Sequence, residues 1–407
     1  MTWAEREAAA LLPTYRRRPV EFVRGAGCWL VDADGRRYLD FLSGLSVTSL
    51  GHAHPAVTEA VARQAATLVH TCNLFYTRPQ IELAERLQDT LGWPDAKAFF
   101  GNSGAEAVEG ALKLARRHGK RQDPAKVEVV ALEGGFHGRT LAALRATGSP
   151  AKHAPFEPLG KWITHVPHDD PEALEAVVGE RTCAVLVEVI QGEGGVRPVP
   201  DALLAAARRA CDRVGALLIA DEVQTGIGRL GAWYGWQTTG ADGESADAAA
   251  MAPDVVCLAK ALANGLPIGA FVARGEAAEA FGPGDHGSTF GGGPVQCAAA
   301  LAVMDVIDRE GLCDRAAALG GELEGCLDRL TDAHALAVGH RGRGLLQALV
   351  LAEPVADHVV AAALEAGLVV NDVASDALRL APPLVIDDAA LQEMTERLDT
   401  ALAAVSG

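Results

Sequence analysis

Residues 97–119 read KAFFGNSGAEAVEGALKLARRHG. KAFF is a short apolar run that reads as a buried strand, and Gly101-Asn102-Ser103-Gly104 reads as the turn that ends it. Val108, Ala111, Leu112 and Ala115 then recur at helical spacing on one face. Ser103 and Glu106 fit an S-x-x-E capping box, and Gly119 is expected as the C-cap. A strand passing through a glycine-bearing turn into a helix is the building unit of an α/β sheet. It also aims free backbone N–H groups and the positive end of a helix at one point, which suits a phosphate. An ordinary well-capped helix satisfies the same letters, so this stretch speaks first to architecture.

The pattern extends in both directions. From about residue 55 to 305, helical periodicity alternates with short apolar runs. HPAVTEAVARQAATL and PQIELAERLQDTL read as helices. VEVVAL, CAVLVEVI, ALLIADEV and DVVCLA read as buried strands. This alternation predicts an α/β fold with both sheet faces covered. Residues 20–41 predict a small antiparallel unit, with turns at Gly25-Ala26-Gly27 and Ala33-Asp34-Gly35. Beyond residue 340 the pattern predicts a smaller α+β unit ending in a helix from about Asp388. The expected division is a large domain over 51–305 and a small domain formed from 1–50 and 306–407. Residues 238–252, TTGADGESADAAAMA, read as a surface loop insertion.

Composition excludes several classes. The 407 residues are 49% apolar and 22% charged, which fits a compact fold rather than a disordered chain. A net charge of −17 argues against a nucleic-acid partner or an anionic membrane surface. The first residues lack the apolar core and cleavage site of a signal peptide, and no apolar run is long enough to span a bilayer. Eight cysteines without a CxxC suit reduced thiols and a cytoplasmic location rather than a zinc site or disulfide framework. His52, His54, His165 and His168 lack a third ligand at metal spacing, so no metal is expected.

The chemistry gathers at strand ends. ALLIADEV reaches Asp221, and a carboxylate capping an apolar strand calls for a cationic partner or a loop amide. Gly226 to Gly231 satisfies G-x-G-x-x-G, but no helix follows, so it is not read as a dinucleotide site. CAVLVEVIQGEGG ends in carboxylates and glycines. LEGGFHGRT places Phe136, His137 and Arg139 just after a strand, with His137 read as a supporting residue rather than a base. Lys260 follows DVVCLA. Only seven of the 36 Lys and Arg residues are lysines, and Lys260 is the sole lysine after Trp162. Arginine cannot form a Schiff base and lysine can. The C-terminal strand ends of an open α/β sheet are where a ligand crevice forms.

An anion site, an amine and a carboxylate together match pyridoxal 5'-phosphate. That cofactor needs a phosphate cradle, a lysine for its aldehyde and an acid for its pyridine nitrogen. NSGAEA, FHGRT, EVIQGEGG, ADEVQTGIGRLG, LAKALANGLPIGA, HGSTFGG and LRLAPPL occur in the order seen in class III (ornithine-type) aminotransferases of fold type I, which the chain resembles from about residue 13 onward. PTYRRRPVEFVRGAG, LGHAHP and NLFYTRPQ are most similar to the acetylornithine aminotransferase branch.

The resemblance implies a large pyridoxal-phosphate domain with a mostly parallel central sheet and a smaller α+β domain. It implies that Lys260 holds the cofactor aldehyde as a Schiff base and moves the Cα proton. Asp221 would pair with the ring nitrogen, Gln224 with the ring hydroxyl, and Phe136 and Val223 would enclose the ring. Ser103, Gly104 and Ala105 would hold the phosphate, joined by Thr289 from a neighbouring subunit in an obligate homodimer. Arg379 would clamp a substrate carboxylate, with Glu193 pairing it otherwise. Arg139 and Ser288 would contact an acylated diamino acid, whose ω-amine passes to 2-oxoglutarate. The alternatives are another ω-aminotransferase (4-aminobutyrate, ornithine, a succinylated diamino acid or a diamine), an aminomutase, or a non-catalytic protein on this fold. Departures from the family pattern are about ten extra residues after AWYGWQ, Gly293 for Asn, Val189 for Pro, Thr48 for Asn and Cys72 for Ser. All leave the cofactor groups in place and bear on the amine donor.

Overall fold

The computed structural model describes residues 2–240 and 251–406. Strands β1 (Phe22–Ala26), β2 (Trp29–Asp32) and β3 (Arg37–Asp40) form the expected antiparallel unit. Helices α1 (Pro55–Thr67) and α2 (Arg78–Leu91) follow, each with proline in its first turn, where the missing N–H costs nothing. Helix α2 buries Leu83, Leu87 and Leu91 as one stripe and stops at Gly92, whose φ is +67°.

The central sheet contains β4 (Lys97–Gly101), β5 (Glu128–Leu132), β6 (Ile163–Val166) and β7 (Thr182–Val187). A two-strand ribbon, β8 (Ile190–Gln191) with β9 (Arg197–Pro198), lies beside it. The sheet is completed by β10 (Leu217–Asp221), β11 (Val255–Leu258) and β12 (Gly269–Ala273), in the spatial order β4-β12-β11-β10-β7-β5-β6. Pairing is parallel from β11 through to β6, and only β12 runs against its neighbours. Successive residues face opposite sides. Val129, Ala184, Leu217, Ile219 and Val255 join the core beneath α3 (Gly104–Gln122). Val130, Val185, Leu218 and Val256 join the opposite core beneath α4 (Asp201–Val214). Both faces are therefore dry, which explains continuous apolar strands rather than alternating ones.

Helices α5 (Pro294–Arg309) and α6 (Leu312–Ala333) lead into β13 (Ala337–Arg343) and β14 (Leu346–Leu351). Then come α7 (Ala356–Glu365), β15 (Leu368–Val369), β16 (Asn371–Ala374), β17 (Ala377–Leu380) and α8 (Asp388–Ser406). β13, β14, β17 and β16 form one antiparallel sheet. β15 instead pairs in parallel with β3, Leu368 opposite Leu39, so the two ends of the chain share a sheet. No helix among the described residues is long and apolar enough to cross a membrane.

The structure corrects several expectations. Strands β6 and β12 were not read from the sequence. Gly119 is no C-cap: α3 continues to Gln122, and Gly119 is small because the helix presses on Lys126, in the turn before β5, and on Cys183 of β7. A Cβ there would stand 2.4 Å from the Lys126 carbonyl oxygen. Ser103 Oγ does accept the Glu106 N–H (3.2 Å), but Glu106 returns its carboxylate to Asn102 rather than to Ser103. CAVLVEVI is interrupted at Glu188, which leaves the strand to bond two loops. The middle of the 238–252 stretch lies outside the described residues, whereas Thr239, Met251 and Ala252 at its ends are buried rather than on the surface.

Candidate active site

Every strand of the large sheet except β12 ends on the same edge, and there a cavity of about 460 Å³ opens. Ser103, Gly104 and Ala105 enter it after β4, Phe136, His137 and Arg139 after β5, Glu188 and Glu193 after β7 and β8, Asp221, Val223 and Gln224 at the end of β10, and Lys260 after β11. Five separate strand ends thus converge on one chamber, as open α/β sheets dictate.

One wall is the start of α3. The amides of Gly104 and Ala105 lie in the first turn and have no intrahelical partner. The helix dipole adds to their pull on an anion. The wall is tight: a Cβ on Gly104 would meet Val223 Cγ1 at 2.9 Å, and one on Gly138 would meet Ala105 Cβ at 2.8 Å.

The floor is a buried ion pair. His137 Nδ1 lies 2.7 Å from Asp221 Oδ2, and the Val223 N–H donates to Asp221 Oδ1 at 3.1 Å. Burial alone would push the His137 imidazole down, but the Asp221 hydrogen bond and charge outweigh it and hold His137 above its ordinary value. Glu188 sits close by. Burial pushes its carboxyl up to about 7, against the pull of His137.

Lys260 opens a short 3₁₀ turn with φ of +38°, a left-handed conformation that costs energy for a residue with a Cβ. Strain of this kind gathers at functional sites. Its ammonium makes no hydrogen bond or ion pair with any described residue, and burial pushes its pKa below the usual lysine value. Arg379 adds to that depression while Glu193 opposes it.

Arg379, fully buried on β17, stands behind the chamber. Its Nη1 bonds Glu193 Oε1 at 2.6 Å, and its Nε bonds Asn371 Oδ1 at 3.2 Å. Nη2 is buried with no partner. Burial pushes Glu193 up, but the guanidinium outweighs it and keeps the carboxylate below its ordinary range. Gln224 links the same group to the N-terminal unit through Ser46 Oγ (3.3 Å).

Arg379 thus does not line the chamber, and two further expected residues lie elsewhere. Ser288 Oγ accepts from Asn102 Nδ2 at 3.2 Å but does not line the chamber, and Thr289 is exposed beside Cys72 and Asn73. One chamber residue, Glu188, and one residue against its Phe136 wall, Lys152, escaped the sequence reading. Glu188 was only one of several carboxylates after an apolar run. Lys152 places Nζ 5.1 Å from the Phe136 ring, whose other cation is Arg139 at 5.5 Å. Its rarity as one of seven lysines was the available signal.

A strained, unpaired lysine, a carboxylate buried on histidine and a helix N-terminus facing one cavity fit pyridoxal phosphate in donor type and in space. The family model for class III aminotransferases matches residues 13–402. This chain belongs to the class III aminotransferases. It is 49% identical to the acetylornithine aminotransferase of Streptomyces coelicolor, over 94% of this chain and 91% of that one. Among solved structures, it is similar to the ornithine aminotransferase of Toxoplasma gondii, with a TM-score of 0.91 and 32% identity over 99% of this chain and 95% of that one. It is also similar to a PLP-bound amine transaminase from an uncultivated Pseudomonas species, with a TM-score of 0.87 and 30% identity over 97% and 98%. As an aminotransferase of this class, the chain is an enzyme that moves amino groups.

Proposed function

We propose that this class III aminotransferase takes the ω-amine of an acylated diamino acid, N2-acetyl-L-ornithine, and delivers it to 2-oxoglutarate using pyridoxal 5'-phosphate. The observation that carries the reading is the convergence of Lys260, Asp221 and the α3 N-terminus on one cavity. The name of the 49% identical relative supports the donor.

Bound pyridoxal phosphate supplies an electron sink that lets a proton leave the carbon bearing the amine. The chain's own groups do the rest. Lys260 would hold the aldehyde carbon covalently and, when displaced by the donor amine, carry the proton between carbons. Its lowered pKa leaves more of the free base near neutral pH. Asp221, hydrogen-bonded to His137, would hold a proton on the ring nitrogen. Ser103, Gly104 and Ala105 would take the phosphate, Gln224 the ring hydroxyl, and Phe136 and Val223 the two ring faces.

Both substrates carry carboxylates, and two arginines would bind them. Arg139, beside Phe136 at the chamber wall, would meet the acylated amino acid's carboxylate, and Ser288, bonded to Asn102 of the chamber, would be a second contact. Arg379 would take a carboxylate of 2-oxoglutarate once Glu193 swings away, and would stay neutralised by Glu193 while the ω-amine is bound. A planar guanidinium suits both tasks because it grips a carboxylate with two parallel bonds.

A homodimer fits the surface. Leu74, Phe75 and Tyr76 are 85%, 68% and 96% exposed, and Phe290, beside Thr289, is 65% exposed. Asn73 Nδ2 bonds the Ser288 carbonyl at 2.9 Å, so the two exposed segments lie side by side, and exposed apolar side chains gathered this way suit an interface. Thr289 on that face would complete the phosphate site of a second copy. A large domain over 51–305 would hold the seven-stranded sheet, and a small domain of 1–50 and 306–407 would hold the β1-β2-β3-β15 and β13-β14-β17-β16 sheets.

The test is a panel of amine donors assayed with 2-oxoglutarate by glutamate formation, alongside loss of the enzyme's visible absorbance on adding donor alone. N2-acetyl-L-ornithine should give the highest kcat/KM. Greater turnover with 4-aminobutyrate, ornithine or a simple diamine would overturn the donor, and no glutamate from any ω-amine would overturn the reaction.

A further inference from the structure

Two loops do the moving parts of the proposed chemistry, and one buried side chain spans them. The first loop follows β5 and carries Phe136. The second follows β8 and carries Glu193, the partner that must release Arg379. Glu188 lies between them and is 7% exposed. Its Oε1 accepts the Phe136 N–H at 2.8 Å, and its Oε2 accepts the Gly192 N–H at 3.3 Å. The Gly192 carbonyl in turn accepts from Arg379 Nη1 at 3.3 Å. A continuous path of hydrogen bonds therefore runs from the Arg379 guanidinium to the backbone of the ring-bearing residue.

A buried carboxylate satisfied by two amides is a sufficient structural account of Glu188 on its own. The choice of amides points further. Burying a carboxyl is costly, and the two N–H groups belong to segments with different duties. Of the side chains that bond the first loop from the β7–β8 segment, Gln191 ties its base, with Nε2 donating to the Glu133 carbonyl at 2.8 Å, and Glu188 reaches its tip, which His137 anchors separately to Asp221 and Thr147.

We infer that Glu188 is a positioning residue that couples the Glu193–Arg379 gate to Phe136. When a substrate carboxylate takes Arg379, the Gly192–Glu193 segment shifts, and the carboxylate of Glu188 carries that shift to the Phe136 loop. The cofactor ring is then gripped differently in the two half-reactions. This rests on the reading that Arg379 receives a substrate carboxylate.

The experiment uses the full chain with cofactor added, and glutarate as the probe, a dicarboxylate with no oxo group to react. Hydrogen exchange is followed in peptides covering 134–138 and 190–196. In the wild type, glutarate should change exchange in both segments by roughly threefold or more. In Glu188→Gln, which can accept at one oxygen only, the 190–196 response should persist and the 134–138 response should fall by at least half. Glu188→Asp keeps the charge but is one methylene too short to span both amides, and it should behave like Glu188→Gln. Glutarate affinity should stay within about twofold in both variants, because neither touches the Arg379 guanidinium. The inference is overturned if the wild type responds only at 190–196 or at neither segment, if Glu188→Gln responds like the wild type at both, or if Glu188→Asp does. The visible absorbance of the wild type is read in parallel. A normal exchange pattern without a lysine-linked band would keep the coupling and sink the cofactor reading instead.

Discussion

Gly269, the first residue of β12, is pressed against Ser103, the N-cap of α3: a Cβ on Gly269 would stand 2.0 Å from the Ser103 carbonyl oxygen and 2.6 Å from its carbonyl carbon. Both clashes are with backbone, so neither can be relieved by a side-chain rotation. Gly269→Ala is therefore expected to push the start of α3 out of the chamber wall. It should cost about 1–3 kcal/mol of stability as an overpacked site, and it should weaken pyridoxal phosphate affinity by more than tenfold. Thermal melts with and without cofactor check both. An alanine variant with wild-type cofactor affinity would mean that the α3 terminus does not hold the phosphate.

Lys260→Arg keeps a cation and removes the imine-forming amine. Glutamate formation should fall by on the order of a thousandfold or more, since nucleophile and proton carrier are lost together. The protein should still fold and should lack the wild-type visible band. Turnover near the wild-type rate would refute the assignment of Lys260.

Arg139→Ala separates the donor classes. With N2-acetyl-L-ornithine, KM should rise about 10- to 100-fold, the value of a charge-assisted hydrogen bond. With a carboxylate-free monoamine, KM should change little. An equal effect on both donors would show that Arg139 serves the fold rather than the substrate.

Arg379→Lys tests the fork. An ammonium keeps the charge for Glu193 but cannot grip a carboxylate with two parallel bonds. KM for 2-oxoglutarate should rise at least about tenfold while the donor half-reaction, followed by absorbance, stays near wild type. Impairment of the donor half-reaction to the same degree would place Arg379 in the first substrate's site as well.

Glu188 gives a pH dependence with a definite sign. Its carboxyl titrates at about 7 in the fold against an ordinary value of 4.5. The folded chain thus binds this proton more tightly than the unfolded chain does. Stability from this group is complete below pH 4.5 and is lost as pH rises through about 7. Glu188→Gln removes the titration. The wild-type melting temperature minus that of the variant should fall between pH 5 and 7.5 and then level off. A constant difference across that range would contradict the burial argument.

Much of this was legible in the letters because local rules and global fold agree. The buried strands ending at Asp221 and before Lys260 are continuous apolar runs, and a parallel sheet covered on both faces makes them so. The Ser103 turn carried its own cap. β12 was not legible, because GAFVA follows a glycine- and proline-bearing turn and its pairing with β4 is settled only in three dimensions. The role of Gly119 was misread for a similar reason. Its smallness answers to Lys126 and Cys183 across the helix–sheet contact, which no nearby residue in the sequence announces. Glu188 was hidden by its neighbours: among the carboxylates of EVIQGEGG, only the hydrogen bonds distinguish it.

The pairing of Leu39 with Leu368 sets an order of assembly on the ribosome. β3 emerges early, but its parallel partner β15 is among the last segments made, so one edge of the N-terminal sheet stays open for most of synthesis. Contacts this distant along the chain are entropically slow to close. Arg379 arrives just after β15, on β17. The strand ends that carry Ser103, Asp221 and Lys260 are therefore all synthesised well before Arg379, the group proposed to grip an acid.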